Sequence, residues 1–206
     1  MTFYDRIIRA FAGIIRLLYR VEIVGEEHIP EEGQAYLLCA NHTAAADPVI
    51  LVAALKRKVV FFAKAELFRI PLIGRVIRAL DAIPVRRGAG DVGAIRSVLS
   101  SLEQRRSVGI FPQGHRYPGV DPRTTEPKAG IGMIVSRTGA PVLPVYLQAR
   151  KNRVRMFRKT RVIIGELIPE RKLLPAAGEP TGMEQYRAVT QTVFEEICRL
   201  GEESKP

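Results

Sequence analysis

The sequence predicts an α/β domain: a mixed, largely parallel central sheet flanked by helices, with an N-terminal amphipathic interfacial helix. Three observations lead there. Short apolar runs of strand length alternate along the chain with patterns of helical period, as in folds whose helices cross over the faces of a sheet. The length, 206 residues, is that of one domain. The composition, 47% apolar and 26% charged, is that of a globular chain able to bury a full core. No internal repeat, low-complexity tract or linker interrupts it. Residues 1–20 are therefore read as the amphipathic helix and 21–206 as a single α/β domain.

The elements follow in order. On a helix at about 100° per residue, Arg6, Arg9, Arg16 and Arg20 fall within an arc of about 80°. Opposite them lie Phe3, Tyr4, Ile7, Ile8, Phe11, Ile14, Ile15 and Leu18. Two readings are open: an interfacial helix with its apolar face among acyl chains, or a terminal helix packed on its own domain. Ala10-Phe11-Ala12 imitates a signal-peptidase site, but no apolar h-region precedes it. Strand-like runs come at Val21–Val24, Ala35–Ala40, Val59–Phe62, Ile83–Val85, Val108–Phe111, Val142–Leu147 and Arg161–Gly165. Helical patterns lie between and after them. Asp47–Leu55 is short and apolar, with Pro48 at home in a first turn. Asp91 is placed to cap a helix carrying Val92, Ile95, Val98, Leu99 and Leu102. Met183, Tyr186, Val189, Val193, Phe194, Ile197 and Leu200 repeat at helical spacing.

Charge is the unusual quantity. Thirty-two Lys and Arg against 21 Asp and Glu leave +11, with a pI near 10.1. Such a surplus points to a polyanionic neighbour: nucleic acid, an anionic membrane or phosphorylated substrates. The only cysteines, Cys39 and Cys198, lack metal-binding spacing, so a disulfide framework or thiolate zinc site is not expected and the chain reads as intracellular. The longest stretch free of Asp, Glu, Lys and Arg, Gly33 to Ala46, has 14 residues. A spanning helix needs about 20.

In α/β proteins ligands sit beyond the carboxyl ends of the strands. Asn41-His42-Thr43-Ala44-Ala45-Ala46-Asp47 follows one such end. The small intervening residues permit a tight turn that brings carboxylate to imidazole. The Asp then accepts from one ring nitrogen and leaves the other free as a general base, usable near neutrality at an ordinary His pKa of about 6.5. A helix-capping Asp beside a hydrogen-bonded loop His fits the same spacing. Phe111-Pro112-Gln113-Gly114-His115-Arg116 follows a second strand end, where Gly114 permits close backbone approach and Arg116 offers a fork suited to phosphate. An ordinary Pro/Gly turn with an exposed Arg reads equally well. Arg86-Arg87 follows a third strand end. Together these groups could surround one phosphorylated ligand.

These residues resemble the 1-acylglycerol-3-phosphate acyltransferase family, the lysophosphatidic-acid branch of the glycerolipid acyltransferases. Asn41 to Asp47 is similar to its Asn-His-x4-Asp motif, and Lys64 to Gly74, continuing through Ala82 to Arg87, to its second block. Phe111 to Arg116 resembles its Phe-Pro-Glu-Gly-Thr-Arg block and Pro141-Val-Leu-Pro-Val145 its fourth, so the ordered set spans residues 35–146. The resemblance implies a glycerol-3-phosphate acyltransferase-like fold. It implies that His42 deprotonates the free hydroxyl of a lysophospholipid acceptor, which attacks the thioester of acyl-CoA or acyl carrier protein. Asp47 would orient His42, with no covalent acyl-enzyme, metal or cofactor. Gln113, Gly114 and Arg116 would hold the acceptor, with Lys128 in a following Lys-x-Gly, and Arg86 or Arg87 would pair with its phosphate. Leu67, Ile70, Leu72 and Ile73 are candidates either for an acyl groove or for the core.

The third block departs from the family: Gln113 stands where Glu is usual and His115 where Thr is usual. Gln still hydrogen-bonds but carries no charge. His115 reads as a second titrating group or as a turn residue. The segment from Arg150 to Arg161 holds seven basic residues in twelve, with Met156 and Phe157 among them and no acid. With Arg6, Arg9, Phe11 and Arg16 of the first helix, Arg153, Arg155 and Arg158 are the expected contacts to an anionic membrane surface, each basic residue worth about 1 kcal/mol there. A solvated loop is the alternative. No RNP-like aromatic run, zinc-finger spacing or helix-turn-helix signature supports nucleic-acid binding, and three histidines match no usual metal-ligand set. The expectation is a peripheral enzyme of phospholipid synthesis on the cytoplasmic face of the cell membrane. A different lysolipid acceptor, or a non-catalytic membrane-binding protein, is the alternative.

Overall fold

The structure is a computed structural model that describes residues 3–79, 81–85, 92–174 and 182–204. Its frame is a seven-stranded sheet formed by β1 (Val21–Val24), β2 (Leu37–Ala40), β3 (Val59–Lys64), β4 (Ile83–Val85), β5 (Ser107–Ile110), β6 (Val142–Ala149) and β7 (Thr160–Ile164). The spatial order is β1-β7-β6-β2-β5-β3-β4. Every pairing is parallel except β6 with β7, so the sheet is mixed and largely parallel, as expected. β2 lies at its centre, between β5 and β6, and its four residues are fully buried. A parallel strand covered on both faces reads as an unbroken apolar run, which Leu37-Leu38-Cys39-Ala40 is.

The period of two along each strand divides the core into two layers. Leu38, Ala40, Leu143, Val145, Val162 and Ile164 point to one face, where α2 (Asp47–Leu55) and α1 (Phe3–Leu18) pack. Leu37, Cys39, Val60, Val108, Val142 and Ile163 point to the other. There they meet α4 (Val92–Glu103), α5 (Gly130–Thr138) and α6 (Met183–Glu203). The sixth helix, α3 (Pro71–Ala79), follows β3 and a short 3₁₀ turn.

One side of α1 packs on its own domain. Helix α2 is buried from Ile50 through Leu55 because the sheet covers one side and α1 the other. That explains a helix apolar all round rather than on one stripe. Ala12 and Ile15 supply the contact, with Phe11 and Tyr19 packed beside them. The apolar arc of α1 is wider than this footprint: Ile14 is 57% exposed and Leu17 78%. One edge of the helix seals the core and the other faces outward.

Helices α3 and α5 are the elements that hydrophobic period did not reveal. α5 begins at Gly130 and contains Gly132, a poor helix former by propensity. Helix α6 crosses so closely there that a Cβ on Gly132 would stand 2.1 Å from the Tyr186 carbonyl oxygen. The glycine is present for packing. The expected cap at Asp91 lies outside the described residues.

Candidate active site

The site is built where the central strand stops. Asn41, the first residue after β2, is 1% exposed and spends both ends of its amide on β6. Its Nδ2 donates to the Leu147 carbonyl at 3.1 Å and its Oδ1 accepts from the Leu147 N–H at 2.7 Å. The chain leaves the sheet at a fixed point, and His42 comes next. The small residues 43–46 close a turn onto the first residue of α2, Asp47, with Pro48 behind it in the first helical turn.

Asp47 is fully buried, and its Oδ2 collects three donors: His42 Nδ1 at 2.8 Å, Thr43 N–H at 2.6 Å and Ala44 N–H at 2.8 Å. A carboxylate only accepts, so Nδ1 carries the proton and Nε2 is left with its lone pair. The other oxygen of Asp47, Oδ1, is buried without a hydrogen-bond partner among the described residues. Burial, with the Asp47 carboxylate as the lesser cause, raises the Tyr19 phenol above its ordinary value.

The His42 ring lies flat on Phe111, centroids 3.9 Å apart and planes 11° from parallel, and Phe111 stacks in turn on Phe61 at 5.7 Å. The ring is 15% exposed: held on one side, reachable from the other. Its peptide is held as well. The His42 N–H donates to Gln113 Oε1 at 2.8 Å, and the His42 carbonyl accepts from the Tyr117 N–H at 2.9 Å. Carboxylate, aromatic ring and two backbone bonds together leave Nε2 as the atom free to take a proton.

The other expected site residues fall as follows. Gln113 is 1% exposed, and its amide lies between the His42 N–H and the Thr125 hydroxyl. Gly114 turns the chain at φ +71, and a Cβ there would meet the Lys128 side chain at 2.9 Å, so the lysine stem lies along the turn. Lys128 is tied back through its N–H to the Pro112 carbonyl at 2.9 Å. Arg116 and His115 are exposed beside them, with His115 against Tyr117 at 4.3 Å. Arg86 and Arg87 lie outside the described residues, as do the side chains of Leu72 and Ile73; Leu67 is half-buried and Ile70 exposed.

Of the surface residues expected at a membrane, Arg153, Arg155 and Arg158 are exposed and Arg16 is half-buried. Only the helical backbone is described for Arg6 and Arg9. Phe11 packs against the core, and the outward apolar residues beside it are Ile14 and Leu17. Sequence reasoning missed the roles of Phe111 and Asn41, although both stand inside the motifs, and it missed Thr125 altogether. Among the described residues no group of three or more His, Cys, Asp or Glu could hold a metal ion, and no helix is long and apolar enough to cross a membrane.

A fully buried aspartate paired with a histidine that is reachable from one side thus stands at the carboxyl edge of a mostly parallel sheet. The family model described as Acyltransferase matches residues 20–148, and the chain belongs to that family. The 1-acyl-sn-glycerol-3-phosphate acyltransferase of Borreliella burgdorferi is 34% identical over 139 residues, 65% of this chain and 53% of that protein. The enzyme of the same name from Bacillus subtilis is 28% identical over 160 residues, 76% of this chain and 78% of that one. The chain thus spans about half the length of the first relative and more of the second. The crystal structure of the 1-acyl-sn-glycerophosphate (LPA) acyltransferase PlsC from Thermotoga maritima shares its fold, with a TM-score of 0.67 and 24% identity over 98% of this chain and 80% of that one.

Proposed function

We propose that this chain transfers a fatty acyl group from a thioester, acyl-CoA or acyl carrier protein, to the free hydroxyl of 1-acylglycerol 3-phosphate, giving phosphatidate. The observation that carries the reading is the 2.8 Å contact between His42 Nδ1 and the buried Asp47 carboxylate. It leaves Nε2 as a base and sets a fixed negative charge against the imidazolium that forms. In the step proposed, Nε2 takes the hydroxyl proton as the oxygen bonds to the thioester carbonyl carbon. The carbon–sulfur bond then breaks, and the imidazolium returns its proton to the leaving thiolate. The names of the relatives support this acceptor. Arg116 and Lys128, with Arg86 or Arg87, are the proposed partners of its phosphate.

The same proposal puts the enzyme on the cytoplasmic face of an anionic membrane. Ile14 and Leu17 on α1, and Met156 and Phe157 in the loop between β6 and β7, are the exposed apolar side chains involved. The two segments are joined, since the Phe157 N–H donates to the Leu18 carbonyl at 2.6 Å. Phe157 has φ +60, a strained conformation for a bulky residue, and its ring is 67% exposed. An apolar tip in a segment that also exposes Arg150, Lys151, Arg153, Arg155, Arg158 and Lys159 suits acyl chains below a phosphate layer.

Acyl transfer from a labelled long-chain thioester, offered to lysophosphatidate and a panel of other lysolipids with both donor types, tests the chemistry. Phosphatidate is the expected product; transfer to another lysolipid alone would keep the mechanism and change the substrate. Sedimentation with anionic vesicles against duplex DNA tests the surface. Leu17→Glu with Phe157→Glu should release the protein from vesicles, and unchanged binding would remove these residues from the interface.

A further inference from the structure

Thr125 stands in none of the sequence blocks that carry the family resemblance, yet it ends a chain of hydrogen bonds that begins at the catalytic histidine's own peptide. The His42 N–H donates to Gln113 Oε1 at 2.8 Å. The Gln113 Nε2 donates to Thr125 Oγ1 at 2.8 Å, and the Thr125 hydroxyl donates to the Pro122 carbonyl at 2.6 Å. Because Gln113 is 1% exposed, water has little opportunity to replace either of its partners. The direction of the chain is fixed by chemistry: each group gives one proton onward or accepts one, and the bonds polarise one another. At its far end the loop is fastened to the body of the protein. Asp121 accepts from the Arg123 N–H at 3.0 Å, and the Arg123 guanidinium pairs with Asp121 and with Glu202 of α6.

We propose that Thr125 is a positioning residue of the acyl transfer: through Gln113 it fixes the peptide of His42, and with it the direction in which Nε2 meets the acceptor hydroxyl. The Tyr117 N–H on the His42 carbonyl, 2.9 Å away, belongs to the same loop, so one segment grips both sides of this residue. The pairing also accounts for Gln at position 113. An amide accepts at one end and donates at the other, which is what a backbone N–H on one side and a hydroxyl on the other require. A carboxylate only accepts, so it would need the single Thr125 proton, which now serves the Pro122 carbonyl. Gln113 and Thr125 therefore form a matched couple.

The inference rests on the reading of His42 as the base, and the experiment separates the two. Thr125→Val keeps the shape and removes the hydroxyl; Thr125→Ser keeps the hydroxyl; Thr125→Ala serves if the valine variant does not fold. The expected result for Val is a kcat lower by about 10-fold to 100-fold, the loss of one buried hydrogen-bond partner expressed as rate, with KM for donor and acceptor unchanged within about twofold. Ser should recover most of the wild-type kcat. A second readout needs no turnover: nitrogen-15 NMR of labelled histidine should show one His42 tautomer, protonated at Nδ1, in the wild type and exchange between orientations in Thr125→Val. Wild-type kcat together with a wild-type imidazole spectrum in that variant would overturn the proposal. If the wild type acylates no lysolipid while the spectrum still changes in Thr125→Val, the positioning role stands and the assigned reaction falls.

Discussion

Replacing Asp47 by Asn tests the electrostatics of the pair with the least change of shape. In the wild type one buried oxygen receives the His42 ring and two backbone N–H groups within 2.8 Å, and Oδ1 has no partner among the described residues. An Asn keeps all three contacts if its oxygen takes the Oδ2 position, which leaves its NH₂ where Oδ1 was. That NH₂ is then a buried donor without an acceptor, a cost of about 1–3 kcal/mol to folding. The larger effect is on the reaction. The imidazolium and the carboxylate have charge centres about 4 Å apart, and at an effective dielectric of about 20 their attraction is about 4 kcal/mol. Since about 1.4 kcal/mol is tenfold in rate, removing the charge should lower kcat by about 10²-fold to 10³-fold. KM should change little, because the carboxylate is fully buried and touches no substrate. Steady-state kinetics on the folded variant, with urea unfolding beside it, measure both quantities. A kcat within threefold of wild type would refute the reasoning, for it would mean that no positive charge develops on His42.

Other outcomes follow from the same geometry. Gly109→Ala places a Cβ 2.1 Å from the Phe61 ring, which must move and carry the Phe111–His42 stack with it; expect a stability loss of about 1–3 kcal/mol and a lower kcat, read by thermal unfolding and kinetics. Asn41→Ala leaves the Leu147 N–H and carbonyl unpaired inside the sheet; urea unfolding should show a loss of about 2–4 kcal/mol. Burial pushes the Cys198 thiol up to about 11, so at pH 8 a maleimide should react about 10²-fold more slowly with the folded protein than with the unfolded chain. Burial also raises the fully buried Cys39 thiol. The unfolded chain releases these protons first as pH rises, so stability should fall above about pH 9, by up to about 1.4 kcal/mol per pH unit for each thiol, and a flat profile from pH 8 to 10 would contradict the burial.

Much of the frame was legible because burial on both faces of the sheet leaves a signal that is local in sequence. β1 and β4 run over the residues the pattern gave, and α2 runs from Asp47 to Leu55 as read. Strand ends were blurred where apolar residues outlast the pairing: Ala35 and Tyr36 precede β2, and β5 stops at Ile110, one residue short. Helix α5 was hidden because Gly132 in its first turn answers to α6, a neighbour about 50 residues away in sequence. The His42–Asp47 contact closes within one turn, so the spacing allowed it, although a helix-capping Asp beside a loop His fitted the same residues. The inward turn of Gln113 was not, since its partners, His42 and Thr125, are 71 and 12 residues away. The split face of α1 was half legible: the wheel shows an apolar arc wide enough for two neighbours but does not say which edge each one takes.

The central claim is that His42 takes the proton of the acceptor hydroxyl directly. The measurement that meets it most squarely is single-turnover acyl transfer to lysophosphatidate by wild type and His42→Gln, both checked for folding and vesicle binding. The wild type should form phosphatidate with no acylated protein at any time point, and His42→Gln should be slower by about 10³-fold or more. Phosphatidate formed by His42→Gln at a rate within tenfold of wild type, or an acyl-protein that rises and falls before product, would contradict it.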